Sequence, residues 1–175
     1  MGDAALADPA RLPEIPNYGE DGWDLIDGGY QHHPSNYLNI VENLMDPSHT
    51  TSVHKQTIGN PAAASEPVTM EKTDEHIVAY KWIKGKPPSQ MDKAIKDFGD
   101  AMVDRGIFFY MFLPSVSRVD VITMPTGLEP TEENFNCGLR NNAYKFLTPE
   151  TEGSTHFFWM HLRNYHVGNT EWSEK

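Results

Sequence analysis

The chain has a single cysteine, Cys137, and no apolar run approaching the ~18 residues that a membrane-spanning helix needs. One thiol cannot close an internal disulfide, which fits a reducing compartment. It also excludes a cysteine-ligated iron–sulfur cluster within these residues, because even mixed cysteine–histidine clusters take two thiolates. Met1-Gly2-Asp3-Ala4 has neither the basic nor the apolar segment of an export signal, so the expectation is a cytoplasmic protein. Positive charge is scarce as well: 14 basic residues stand against 25 acidic ones, a net charge of −11. Binding to phosphate backbones rests on clustered Lys and Arg, so neither nucleic acid nor an anionic membrane is an expected partner. What is present is globular in composition, 38% apolar with four Trp, seven Tyr and eight Phe, and 175 residues suit one domain with a real core.

Residues 1–22 hold Pro9, Pro13 and Pro16 among small and acidic residues and read as an inter-domain linker. The domain proper, 23–175, starts near Trp23. From Asn36, the positions Tyr37, Ile40, Val41, Leu44 and Met45 fall at helical spacing until Pro47 obstructs the helix. Residues 76–83 read as a strand closed by the breakers of 85–90, and 91–104 as a short amphipathic helix. Strands follow at 107–113, 117–124, 140–147 and 155–165, the last two joined by a polar turn. Antiparallel strands with helices ahead of them make an α+β domain.

The chemistry concentrates in Asn43-Leu44-Met45-Asp46-Pro47-Ser48-His49-Thr50-Thr51-Ser52-Val53-His54. Neutral imidazole suits divalent iron or zinc, and two histidines with one carboxylate form the facial triad that leaves positions open for dioxygen. A five-residue step turns an ideal helix by roughly 140°, so His49 and His54 share a face only if the helix is distorted, and Pro47 gives a reason for distortion. The H-E-x-x-H spacing of zinc proteases is absent. On spacing alone, such a pair is more often surface or capping histidines than a metal site, and Asp46 reads as well as a helix cap.

The run NYLNIVENLMDPSHTTSVHKQTIG resembles the iron-binding segment of Rieske-type non-haem iron aromatic ring-hydroxylating oxygenases, in the vanillate O-demethylase, dicamba monooxygenase and phthalate dioxygenase-like group. LTPETEGSTHFFWMHLRNY (147–165) is similar to that family's late hairpin, and GDAALADPARLPEIP (2–16) to its inter-domain linker. The resemblance implies a helix-grip (Bet v1/START-like) sheet, with His49 and His54 holding mononuclear Fe(II) and Asp46 relaying electrons from a neighbouring subunit. It implies further that Asn43 supports the site and that Lys145 stands where relatives often carry a pocket histidine. Arg118, Arg140 and Lys145 are candidate anchors for a substrate carboxylate, with solvated strand charges as the plainer reading. His156 reads as a structural histidine.

The C-x-H and C-x-x-H half-motifs that hold the family's [2Fe–2S] cluster do not occur, and the aspartate that is its third iron ligand is expected beyond Lys175. The expectation is a piece of a longer parent, with the Rieske domain and the C-terminal helix outside these residues and the piece inert alone. The implied parent is an oxygenase component that hydroxylates or O-demethylates a substituted aromatic acid. It would use dioxygen and electrons from NAD(P)H, delivered by a separate reductase or ferredoxin, and assemble as a homotrimer. Two rivals use the same residues differently: a metal-free helix-grip ligand-binding protein, and a zinc-dependent hydrolase.

Overall fold

The computed structural model describes residues 3–6, 8–53 and 65–173. Among them, seven strands form one antiparallel sheet: β1 (Asp24–His33), β2 (Thr69–Lys72), β3 (His76–Lys86), β4 (Val103–Phe112), β5 (Val116–Pro125), β6 (Leu139–Thr151) and β7 (Ser154–Arg163). Their order is β1-β7-β6-β5-β4-β3-β2, so all but β1 lie beside their sequence neighbours and the first strand closes onto the last. The helices are short: α1 (Tyr37–Leu44), α2 (His49–Ser52), α3 (Gln90–Ile95), α4 (Glu132–Phe135) and α5 (Thr170–Ser173).

Strand alternation builds two unlike faces, since successive side chains point to opposite sides. On one face Ile83, Ile107 and Phe109 form a buried cluster with Val119 and Val121, and Met45 at the end of α1 packs against it. We call this the helix face. On the other, Ile122 and Met124 meet Phe135 of α4, with Trp82 and Phe108 alongside. This is the cavity face. Each cluster contains a fully buried residue, Ile83 or Met124, whose truncation to Ala would cost about 2–5 kcal/mol.

Helix α1 forms where its spacing predicts. The Asn36 side chain accepts from the Leu38 N–H at 2.9 Å, capping the first turn, a contact that contributes about 0.5–2 kcal/mol. The α+β reading therefore holds, with altered boundaries. The segment 91–104 is helical only to Ile95; Gly99 adopts a left-handed φ of 54° and Val103 already belongs to β4. The hairpin between β6 and β7 is tighter than the sequence suggests, because strand pairing runs on to Thr151↔Ser154. Strand β1 depends on Gly28: a Cβ there would run into the backbone carbonyl of Trp159, so only glycine lets β1 lie this close to β7.

Candidate metal centre

Helix α1 brings the chain down onto the helix face at Met45, and the next residue is Asp46. Pro47 cannot donate a backbone hydrogen bond, so the helix stops and a new turn, α2, starts at His49. Asp46 organises this corner. Its Oδ1 accepts from the Ser48 N–H at 2.8 Å and the Ser48 hydroxyl at 2.5 Å, and its Oδ2 lies 3.8 Å from His49 Nδ1. The Ser48 hydrogen bonds, helped by the adjacent His49, hold the Asp46 carboxyl below its ordinary range. Thr50 donates its hydroxyl to the Pro47 carbonyl at 2.8 Å and is buried, which fixes the turn from the other side.

A carboxylate on the Nδ1 side of an imidazole favours the tautomer with its proton there. Asp46 thus forms the turn through Oδ1, and its Oδ2 lies on the Nδ1 side of His49. His54 lies outside the described residues. Asn43 is exposed on α1, and its backbone carbonyl accepts from the Asp46 N–H at 3.4 Å. Among the described residues no three His, Cys, Asp or Glu side chains converge as a metal-binding group.

Strand register sorts the candidate anchors. Lys145 pairs with Ser117 and Trp159, and Ala143 with Val119 and His161, so Lys145, Trp159 and His161 share the helix face with Val119 and Met45. The Lys145 ammonium donates to the Ala143 carbonyl at 3.3 Å. Burial pushes its pKa down to about 8, and burial together with Lys145 pushes His161 down to about 4. Both groups gain from an anion placed between them.

Arg118 and Arg140 project from the face opposite to Lys145. Arg118 pairs with Asp120 at 3.1 Å and lies over the Tyr110 ring; Arg140 reaches Glu132 at 3.0 Å. Neither is a solvated strand charge: Arg140 is buried, and only 14% of the Arg118 side chain is exposed. The carboxylates that make this burial tolerable sit on β5 and α4. His156 is held by the Tyr30 hydroxyl at 2.8 Å, with Glu150 at 3.7 Å. The sequence reading passed over His161 and Asp120; each lies at the same parity as a residue it did single out, Lys145 and Arg118, and pairing the strands would have exposed both.

Comparison with known proteins narrows the chemistry. The sequence model of the vanillate O-demethylase oxygenase C-terminal domain family matches residues 34–175. A putative toluene-4-sulfonate monooxygenase system iron-sulfur subunit from Comamonas testosteroni is 30% identical over the whole of this chain and 51% of its own length. Dicamba monooxygenase bound to 3,6-dichlorosalicylic acid superposes with a TM-score of 0.86 at 27% identity, covering 99% of this chain and 49% of that one. Dicamba monooxygenase with non-haem iron and dicamba gives 0.76 at 26% identity, covering 99% and 47%. The fold is the helix-grip-like antiparallel sheet of that catalytic domain. The chain spans about half the length of the curated relatives it matches.

Proposed function

Because this chain belongs to the vanillate O-demethylase oxygenase C-terminal domain family, we propose that it is the catalytic part of an oxygenase component acting on a substituted aromatic acid. The reaction is hydroxylation or O-demethylation, with dioxygen as oxidant and NAD(P)H as the source of electrons through a separate reductase or ferredoxin. The observation that carries this reading is the corner Asp46-Pro47-Ser48-His49, which follows directly on Met45, the residue packed on the sheet face that also bears Lys145 and His161.

The donor chemistry fits iron: His49 would hold it through Nε2, together with His54 and a carboxylate from outside the described residues. When bound, iron(II) supplies the activation of dioxygen. The protein's own residues do the rest. Asp46 keeps the His49 ring in one tautomer and orientation, and in a head-to-tail homotrimer it is the group through which electrons enter from the neighbouring subunit. Lys145 attracts the substrate's acidic group, and Trp159 on the same face offers a flat apolar surface to its ring. His161, held neutral, donates or accepts a hydrogen bond without adding a second full charge.

Anaerobic loading with Fe(II) followed by metal analysis tests the reading. The expected result is about one iron per chain in the parent protein and a tenfold or greater loss in His49→Ala. Substrate-dependent oxygen uptake on methoxylated benzoates, supported by a Rieske donor and reductase, completes the test. Tight zinc with hydrolysis and no oxygen uptake would favour the hydrolase, and ligand binding with no metal at all the carrier.

A further inference from the structure

Helix α1 carries the chain from the first strand to the Asp46–His49 corner, so what fixes α1 also fixes the corner. It is eight residues long and none of them is buried. A helix that short is marginal by itself, well under the roughly 12–15 residues at which isolated helices begin to hold, so the attachments at its ends count. At its far end Met45 packs on the helix-face cluster. At its near end the tip of the β6–β7 hairpin takes hold of it.

The Asn36 side chain works in both directions there. Its Oδ1 accepts from the Leu38 N–H, and its Nδ2 donates to the Glu152 backbone carbonyl at 2.9 Å. One residue earlier, the Ser35 carbonyl accepts from the Thr155 hydroxyl at 2.9 Å, and Thr155 is fully buried. Regular pairing of β1 with β7 ends at His33↔Thr155, so these two side-chain bonds act where the sheet has stopped and the helix is about to begin. At the end of β1, His32 Nε2 lies 2.8 Å from Glu150, which also accepts from the Ser154 hydroxyl at 2.8 Å. The tip is stiffened from within: the Thr151 and Ser154 hydroxyls are 2.6 Å apart, and the Gly153 N–H donates to the Thr151 hydroxyl at 3.2 Å. It is a firm support for the first turn of a helix.

We infer that Asn36 and Thr155 are positioning residues for the Asp46–His49 corner: by tying the start of α1 to the β6–β7 tip, they set the angle at which the helix delivers that corner to the sheet. Their role in chemistry rests on the metal-centre reading of the corner; the tie itself does not. With Met45 held in its cluster, a displacement of the first turn becomes a rotation at Asp46. Over a rod of about 12 Å, a shift of ~2 Å turns the corner by roughly 10°, and ligand constellations tolerate only about 10–20°.

Amide hydrogen exchange of the purified protein, read residue by residue, tests the inference. Asn36→Asp keeps the oxygen that caps Leu38, since Asp caps as well as Asn, and removes only the amide given to Glu152. Thr155→Val removes the hydroxyl given to Ser35 and keeps the side chain's shape. Each variant should speed exchange at the Met45 and Ser48 amides, which report the last turn of α1 and the Asp46 turn, about three- to tenfold, the worth of one neutral hydrogen bond. Amides of β3, β4 and β5 should keep their rates, and Thr155→Ser, which retains the hydroxyl, should behave like the unsubstituted protein. Iron gives the reverse arm: anaerobic loading with Fe(II) should slow exchange at Gly153 together with Met45, because bound metal and tied helix favour the same arrangement. Failure of iron to bind would sink the oxygenase reading. The inference falls instead if both variants leave Met45 and Ser48 at their original rates, if β3–β5 loosen as much as the corner, if Thr155→Ser behaves like Thr155→Val, or if bound iron leaves Gly153 untouched.

Discussion

The helix face and the cavity face of the same sheet both bury paired arginines, and they differ at Lys145 and His161. Both are built from β5, β6 and their neighbours, at alternate positions of the same strands. On the cavity face each arginine has its carboxylate, Arg118 with Asp120 and Arg140 with Glu132, and aromatic rings flank both pairs. On the helix face Arg105 is paired with Asp92 and Arg163 with Asp24 in the same way, but Lys145 and His161 are neighbours, and each has a weakened hold on a proton because it lies away from water. A charge already neutralised is a structural component, whereas a base kept short of an anion is prepared for a ligand. The difference makes the helix face the better candidate for an acidic substrate.

The comparison can be broken most forcefully at Arg118. Replacing it by Met leaves Asp120 buried with no guanidinium beside it, and denaturant unfolding should show a loss of about 3–5 kcal/mol. If the variant is as stable as the parent, the pair is not what holds that face together.

The two faces should also answer pH with opposite signs. Asp120 has its pKa raised to about 6 in the folded protein, so its contribution is complete below its ordinary value of 3.8 and is lost as pH rises through 6. His161 has its pKa lowered to about 4, so its contribution is complete above its ordinary 6.5 and is lost as pH falls through 4. Each shift of two or more units corresponds to on the order of 3 kcal/mol across its window. Unfolding curves of Asp120→Asn and His161→Gln between about pH 4 and pH 8 should therefore remove slopes of opposite direction. Equal slopes in both variants would show that the faces are not electrostatically distinct.

A narrower test concerns Asp46. The change Asp46→Asn keeps the turn's shape and removes the charge facing His49, and oxygenase turnover should fall about 10–100-fold with less effect on stability. The smallest expected effect mirrors the first: Lys145→Met should raise KM for an acidic aromatic about tenfold while leaving the protein as stable as before or more so. Lost stability there would mean that Lys145 is already paired like Arg118.

How much of this was legible beforehand follows the periodicities. Strands β3 to β7 were visible because β-branched and aromatic residues alternate in them, and α1 because its apolar spacing ends cleanly at Pro47. Strand β1 was not, since Gly28 and Gly29 interrupt its pattern and its partner is the far β7. Strand β2 is exposed throughout and α4 is a single turn, so neither offers an apolar stripe to read. At the candidate site, the placement of Asp46 and His49 at a helix end beside Pro47 was legible, because Pro47 ends the apolar spacing of α1. The split between Lys145 on one side and Arg118 and Arg140 on the other was not, because it depends on strand register and not on local sequence.

The pairing of β1 with β7 has a consequence for how the protein is made. Asp24 finds Arg163 across 139 residues, while every other strand pairs with a sequence neighbour. On a ribosome the β2–β7 meander can assemble progressively as it emerges, but β1 must wait until nearly all of it exists. The α1 corner with Asp46 and His49 hangs on the connection between them, so this turn acquires its final anchorage only when the last strand arrives. Order of synthesis and order of assembly are thus reversed for the segment that holds the candidate site.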